Sequence, residues 1–277
     1  MERHIVIGHE GEEITASIHY PAPDKKQAEG RCKNRVPLVI ICHGFVGSRV
    51  GVNRLFVETA RNLAADGYLV VRFDYIGCGE SSGSYGKHSV DSMIAQTRAV
   101  IDYGLETLDI DPTQVSLIGH SLGGMIALLT AARDRRVKNL VLWSAVGYPF
   151  NDIVKITGRD VYEKSVRQGS ADYLGYHLTP TFFESLGMYQ PLQEAIKFSG
   201  DVLVVHGTAD EEIPVDYAFL YQKVLWMRQE GRCDKEIIFQ GDHTFSTGEH
   251  RSKLIHTTKS WLSGLEATQS EWQNWMI

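Results

Sequence analysis

The chain has 277 residues, of which 43% are hydrophobic and 22% charged, a composition typical of folded globular proteins rather than disordered or fibrous ones. This length fits one large α/β domain or two smaller domains, so it does not fix the number of domains. The formal net charge of −6 leaves no basic field to attract nucleic acid or anionic lipid. We therefore expect neither nucleic acid nor a membrane among its partners.

The cysteines and the N-terminal residues indicate a cytoplasmic protein. The first residues contain no apolar signal core, and no stretch reaches the roughly 18 apolar residues that a membrane span needs. The cysteines form no CxxC pair, which argues against a zinc ribbon and a disulfide framework. They are Cys32, Cys42, Cys78 and Cys233.

The predicted elements, taken in chain order, alternate between strands and helices after an N-terminal pair of strands. Alternating polar and apolar residues predict strands at 3–8 and 13–20, and a polar loop follows over 21–35. Continuous apolar runs predict strands buried on both faces, and helical spacing predicts the helices between them. These strands are 36–42, 68–73, 114–118, 139–143, 201–205 and 235–239, and the helices are 51–66, 89–106, 122–133, 215–229 and 251–262. This order predicts an α/β fold with a mostly parallel central sheet flanked by helices.

More than fifty residues separate the strands predicted at 139–143 and 201–205, which is too long for an ordinary connection. The segment is rich in aromatic residues, and some of these rings can form a small core while others wall an apolar pocket. We expect residues 148–199 to form a lid insertion between the sixth and seventh strands. Residues 1–147 and 200–277 then form the core of the fold.

A G-x-S-x-G motif, GHSLG at 119–123, lies between a predicted strand and a predicted helix. Such a turn exposes the serine oxygen above the C-terminal edge of the sheet, and its flanking glycines relieve backbone crowding. The N-terminus of the following helix offers N–H groups to a developing anion. Ser121 is therefore the candidate nucleophile.

A serine nucleophile needs a base to take its proton and an acid to orient that base. Asp210 and His243 each follow a later predicted strand, in the chain order that this motif usually shows. All three side chains then lie at the strand ends where parallel sheets build their sites. Residues that compete for these roles but are less favourably placed are Glu211, Glu212, Asp242, His206, His250 and His256.

An acyl-transfer intermediate also needs donors that bind its oxyanion. We assign these to the backbone N–H groups of Leu122, directly after the serine, and Phe45, in the HGFVG loop after the strand at 36–42. Residues expected to line the substrate pocket are His43, Gly44, His120, Tyr148 and Tyr176.

The glycine-rich segment at 74–81 (DYIGCGES) lacks the spacing of a nucleotide-binding fingerprint and is interpreted as a structural loop. No phosphate-loop, HExxH or calcium-loop pattern occurs, so we expect no cofactor and no metal.

Five segments together resemble the α/β-hydrolase superfamily: HGFVG, RFDYIGCGESSG, GHSLGG, HGTADEEIP and GDHTF. The resemblance runs from about residue 36 to residue 262 and omits the lid. Within the superfamily, the chain is similar to capped carboxylesterases of the cinnamoyl/feruloyl esterase type. This resemblance implies a triad of Ser121, Asp210 and His243, with the amides of Phe45 and Leu122 binding the oxyanion. Cinnamoyl esterases often carry glutamine in place of Leu122, which changes the pocket wall.

The leading hypothesis is a serine hydrolase that cleaves small to medium acyl or aryl esters through an acyl-enzyme. One alternative is a thioesterase or acyltransferase acting on CoA-bound or carrier-bound acyl groups, with lid cations meeting the phosphates. Those cations are Lys155, Arg159, Lys164 and Arg167. A second alternative is a hydrolase-fold protein that binds a small ligand without catalysis. The apolar tail at 271–277 can pack on the domain or against a second copy, so a homodimer is also open.

Overall fold

The computed structural model describes residues 1–21 and 35–275, with side chains described as far as residue 267. The predicted polar loop and Cys32 therefore lie almost wholly outside the described residues, as do the side chains of the C-terminal tail. The strands are β1 (Glu2–His9), β2 (Glu12–His19), β3 (Val36–Cys42), β4 (Leu69–Phe73), β5 (Ile110–His120), β6 (Val137–Trp143), β7 (Ala171–Tyr173), β8 (Tyr176–Leu178), β9 (Asp201–Gly207) and β10 (Cys233–Ile238).

Eight of these strands form one sheet in the order β1-β2-β4-β3-β5-β6-β9-β10. β2 pairs antiparallel with β1 and β4, and all remaining pairs in this sheet are parallel. The central strands are buried on both faces, as their continuous apolar runs predict.

Helices cover both faces of the sheet and complete two hydrophobic cores. The core helices are α1 (Leu55–Ala65), α2 (Val90–Thr107), α3 (Leu122–Ala131), α8 (Asp216–Leu225) and α9 (Gly248–Trp275). α2, α3 and α8 supply residues to one core, and α1 and α9 supply residues to the other. Within the described residues, no helix is long and apolar enough to cross a bilayer.

The long connection between the sixth and seventh strands of the main sheet folds into a separate layer of short elements. These are α4 (Pro149–Thr157), α5 (Arg159–Gln168), the β7–β8 hairpin, α6 (Pro180–Gly187) and α7 (Pro191–Glu194). Phe182, Phe183 and Leu186 of α6 are fully buried, and they belong to the same hydrophobic core as α2, α3 and α8. These rings of the insertion thus join the core of the sheet instead of forming a small core of their own. The insertion meets the rest of the chain where the Thr179 hydroxyl donates to the carbonyl oxygen of Gly86 at 2.6 Å.

Candidate active site

The turn at Ser121 is strained and tightly packed. Ser121 has φ 57° and ψ −124°, which side-chain-bearing residues rarely adopt, and it lies directly before α3. Its N–H donates to the carbonyl of Trp143 at 2.9 Å, which ties the turn to the end of β6. A Cβ at Gly119 would lie 2.3 Å from the carbonyl oxygen of Gly123, so this glycine is required by backbone packing.

Asp210 and His243 form a direct hydrogen bond at the same edge of the sheet. The Nδ1 atom of His243 donates to Oδ2 of Asp210 at 2.8 Å. The other carboxylate oxygen accepts from the N–H groups of Glu212 at 3.1 Å and Ile213 at 2.8 Å. Burial opposes ionisation of Asp210, but the hydrogen bonds from His206 and His243 outweigh it and keep its pKa well below the usual value. The ionised carboxylate therefore fixes the proton on Nδ1 of His243 and leaves Nε2 available as a base.

A second histidine, His206, contacts the same carboxylate. The sequence offers it only as a competitor of His243 for the role of the base. Its Nε2 atom lies 3.1 Å from Oδ2 of Asp210 and 3.0 Å from the carbonyl oxygen of Ile213. Both neighbours are acceptors, so this nitrogen carries the hydrogen. In the sequence HGTAD, His206 at the end of β9 precedes Asp210 by four residues. This short spacing is the feature of the sequence that could have predicted the contact between the two side chains.

His120 supports the backbone of His243. Its Nε2 atom donates to the carbonyl oxygen of His243 at 2.7 Å, and the two ring centroids lie 4.8 Å apart. Burial and then repulsion by His243 lower the pKa of His120 to about 3, so it stays neutral near neutral pH. It therefore positions the neighbouring loop without carrying charge.

Ser121 and His243 line the same cavity, which has a volume of about 950 Å³. Across the described part of the chain, no hydrogen bond joins the hydroxyl of Ser121 to the His243 ring. The Nε2 atom of His243 instead lies 3.5 Å from Oε2 of Glu212. The structure thus pairs the acid with the histidine and brings the serine to the same cavity.

The HGFVG loop lies against the serine. A Cβ at Gly44 would lie 3.1 Å from Cβ of Ser121. His43 supports this loop, because its Nδ1 atom donates to the carbonyl of Gly44 at 2.8 Å and its Nε2 atom accepts from the N–H of Tyr75 at 3.0 Å. With both nitrogens occupied, His43 contributes to the shape of the cavity more than to its hydrogen bonding.

Four of the five residues predicted to line the pocket do so: His43, Gly44, His120 and Tyr176. Tyr148 does not, and lines a separate cavity of about 420 Å³ with Tyr189 and Gln190. Its N–H donates to Asp152 at the start of α4 and its ring packs on Tyr217, which turn it away from Ser121. Other residues that line the larger cavity include Phe45, Tyr173 and Glu212. The sequence offers Glu212 only as an alternative to the acid Asp210, and no local pattern indicates that it lines the cavity.

Comparisons with known proteins agree with this fold. The family model described as "alpha/beta hydrolase fold" matches residues 37–163. The structure of Est1E from Butyrivibrio proteoclasticus with ferulic acid bound superposes with a TM-score of 0.79 at 23% identity, covering 95% of this chain and 99% of that one. The chain therefore has the alpha/beta hydrolase fold, which confirms the predicted fold class.

Two curated relatives match over parts of the chain. An uncharacterized 31.7 kDa protein from the traX-finO intergenic region of Escherichia coli is 35% identical over 130 residues, 47% of this chain and 43% of that protein. Palmitoyl-protein thioesterase ABHD10, mitochondrial, of Rattus norvegicus is 26% identical over 192 residues, 66% of this chain and 62% of that protein. Each match thus spans less than two thirds of the relative's own length. These partial matches agree with an alpha/beta hydrolase fold for the chain.

Proposed function

We propose that the protein is a serine hydrolase that cleaves carboxylic esters of small molecules through an acyl-enzyme intermediate. The observation that carries the proposal is the 2.8 Å hydrogen bond between Asp210 and His243. His243 lines the same cavity as Ser121, whose backbone is strained. An ionised acid, a histidine held in one tautomer and a serine on a sharp turn are the parts that nucleophilic acyl transfer needs.

In the proposed reaction, Ser121 Oγ attacks the ester carbonyl while Nε2 of His243 takes the hydroxyl proton. His243 then gives this proton to the departing alcohol. A water molecule, deprotonated by the same nitrogen, releases the acid and restores Ser121. A small rotation of the Ser121 or His243 side chain has to bring the two groups into hydrogen-bond contact, because catalytic hydrogen bonds often tighten only when substrate binds.

The oxyanion of the intermediate is assigned to the backbone N–H groups of Phe45 and Leu122. In the part of the chain that the structure describes, neither N–H is hydrogen-bonded to a protein acceptor. Leu122 is the first residue of α3, where backbone N–H groups have no partner within the helix. Donors held in place before the reaction lower its barrier, each by about 3 kcal/mol in other enzymes.

The insertion, residues 148–199, is proposed to act as a lid over the core formed by residues 1–147 and 200–277. Tyr173 and Tyr176, on the β7–β8 hairpin, line the cavity, and the Tyr173 ring packs against the Phe45 ring of the HGFVG loop. A cavity of about 950 Å³ with aromatic walls suits small to medium acyl or aryl esters.

A thioesterase is the second candidate, favoured by the partial identity to the rat thioesterase. The lid cations give it little support. Lys155 donates to the carbonyl oxygens of Glu211 and Glu212, and Arg159 pairs with Glu163 at 3.0 Å, so neither is free to meet a phosphate. Rates on an acyl-CoA and on the matching p-nitrophenyl ester separate the two candidates.

The direct test is Ser121→Ala. Turnover of p-nitrophenyl acetate or butyrate should fall by about 10⁴-fold or more, because removing the nucleophile leaves only the oxyanion donors and substrate binding. Covalent labelling by a fluorophosphonate probe should disappear as well. Ser144→Ala is a matched control, because the Ser144 hydroxyl is buried and has no hydrogen-bond partner among the described residues. Turnover retained in a folded Ser121→Ala variant contradicts the proposal, and a wild-type serine that never labels favours a non-catalytic binding protein.

A further inference from the structure

Glu212 is held in a defined position beside the proposed catalytic histidine. Its N–H donates to Asp210 at 3.1 Å, and its carbonyl oxygen accepts from Nζ of Lys155 at 3.3 Å. Both backbone groups of the residue are thus fixed. The side chain is 51% exposed, and Oε2 lies 3.5 Å from Nε2 of His243. The carboxylate therefore faces the cavity at the nitrogen that handles the proton.

The Glu212 carboxylate is not paired with a lysine or an arginine in the described part of the chain. Within the described residues, His243 is the one basic group that forms an ion pair with this carboxylate, and the proposed mechanism requires His243 to be neutral before reaction. Lys155 also lines the cavity, but its Nζ is bound to main-chain oxygens of Glu211 and Glu212 at 3.0 and 3.3 Å. Before substrate binds, the site thus contains a carboxylate whose negative charge a positive group on the substrate would neutralise.

Part of the cavity wall is aromatic. The rings of Phe45 and Tyr173 have centroids 5.6 Å apart, and both residues line the cavity with Tyr176. Aromatic faces attract cations, most strongly where water is partly excluded. Burial and then repulsion by Glu212 raise the pKa of Tyr173, so the field of the carboxylate reaches this wall. The carboxylate and the aromatic rings of this cavity therefore both favour a positive group.

We propose that Glu212 is a specificity-determining residue that selects esters whose alcohol part carries an ammonium group. This inference rests on the proposed esterase function. The alcohol is the relevant part because Nε2 of His243, which Glu212 faces, is the atom that protonates the departing alcohol. A cation a few bonds from the ester oxygen would lie between the carboxylate and the aromatic wall.

The test compares acetylcholine with 3,3-dimethylbutyl acetate, two esters of the same shape that differ in the charge of the alcohol. Wild-type kcat/KM should favour acetylcholine by roughly two- to fivefold, the range expected for a half-exposed ion pair. Glu212→Gln should bring the ratio close to one. High salt should weaken the wild-type preference, because mobile ions screen exposed charges.

Glu211→Gln is the matched control, since Glu211 is the adjacent carboxylate lining the same cavity, and within the described residues the ion pair with His243 is made by Glu212. It should keep a ratio close to that of wild type and clearly above that of Glu212→Gln. Hydrolysis of both esters with the same ratio in wild type and Glu212→Gln overturns the inference and leaves the esterase intact. Absence of hydrolysis of these esters and of p-nitrophenyl esters, with no fluorophosphonate labelling, overturns the proposed function itself.

Discussion

Asp210 shares one oxygen between two histidines that have different tasks. Oδ2 accepts from His243 at 2.8 Å and lies 3.1 Å from Nε2 of His206. The His206 nitrogen is also within 3.0 Å of the carbonyl oxygen of Ile213, which fixes its ring in the protein interior. His243 is the histidine that opens onto the cavity, so His206 acts as a positioning residue that holds the acid in place and ionised.

Replacing His206 tests this positioning role. His206→Leu removes a hydrogen bond to a buried carboxylate, so the free energy of unfolding should fall by about 1–3 kcal/mol. The Asp210 carboxylate, which orients His243, is also held less firmly, so kcat should fall, while KM should change little because His206 does not line the cavity. Steady-state kinetics with p-nitrophenyl butyrate and denaturant unfolding measure the two effects. His256→Gln, at an exposed position on α9, is the control, and an unchanged kcat in His206→Leu would show that His206 has no part in holding the acid.

For individual residues, the sequence predicted positions in the fold where a residue directly follows a strand of the sheet. Ser121, Asp210 and His243 each follow a parallel strand, so the topology alone brings them to one edge of the sheet. Tyr148 also follows a strand, yet its direction is set by contacts with α4 and Tyr217 that no local pattern specifies. The position of Glu212 depends likewise on a contact with a distant segment, the hydrogen bond from Lys155 to its carbonyl oxygen. The sequence alone therefore offers Glu212 only as an alternative to Asp210 for the role of the acid.

At the scale of elements, apolar runs located the buried strands, whereas the ends of elements depended on details outside the pattern. The helix predicted from residue 51 begins at Leu55, because Asn53 and Arg54 have φ values of 51° and 64° and interrupt the first turn. The helix predicted at 251–262 spans Gly248–Trp275, so both of its ends lie outside the predicted range. The internal elements of the insertion were not predicted, since they are short and depend on packing against the core.

Gly86 is the point where a loop of the core receives the insertion. Its carbonyl oxygen accepts from the N–H of Thr179 at 3.2 Å and from the Thr179 hydroxyl at 2.6 Å. A Cβ at this position would lie 2.0 Å from the carbonyl oxygen of His177 in β8. Any side chain at Gly86 therefore has to push the β7–β8 hairpin outward, together with Tyr173 and Tyr176.

We expect Gly86→Ala to alter substrate binding through this hairpin. Displacing packed backbone should cost about 1–3 kcal/mol of unfolding free energy. KM for bulky aryl or longer acyl esters should rise more than KM for p-nitrophenyl acetate, because the displaced tyrosines line the outer part of the cavity. Chain-length panels and thermal unfolding provide the measurements.

Gly187→Ala is the control for this change, because a Cβ at that position in α6 meets no atom within 4 Å. Gly187→Ala should leave both KM values near wild type. If Gly86→Ala raised KM equally for short and bulky esters, the β7–β8 hairpin would not be the element that determines selectivity for substrate size.

At the scale of the whole molecule, a buried charge network joins the N-terminal hairpin to the loops around the site. Arg72, on β4, donates to His19 at 2.8 Å, to Glu2 at 2.9 Å and to the carbonyl oxygen of Arg49 at 2.6 Å. The Arg49 guanidinium in turn pairs with the buried Asp74 at the start of the glycine-rich loop. This agrees with the structural interpretation of that loop and links strands that are distant in sequence.

The network makes stability depend on pH through His19. Nε2 of His19 must accept from Arg72, so the histidine has to be neutral, and burial and then repulsion by Arg72 lower its pKa to about 4, against 6.5 for an ordinary histidine. Between these two values the unfolded chain binds more protons than the folded one, so stability falls as the pH is lowered. His120, with a pKa of about 3, acts in the same direction.

His19→Gln isolates this contribution, because a glutamine oxygen can accept from Arg72 without titrating. Between pH 6 and pH 5, the slope of unfolding free energy against pH should be smaller in the variant by about 1 kcal/mol per pH unit. The carboxylates of Glu2 and Asp210 contribute little in this window, since both have pKa values lowered from values already below 5. Urea unfolding of both proteins at several pH values measures the slopes. Equal slopes would mean that His19 becomes protonated in the folded protein as readily as in the unfolded chain, and that its bond to Arg72 does not restrain it.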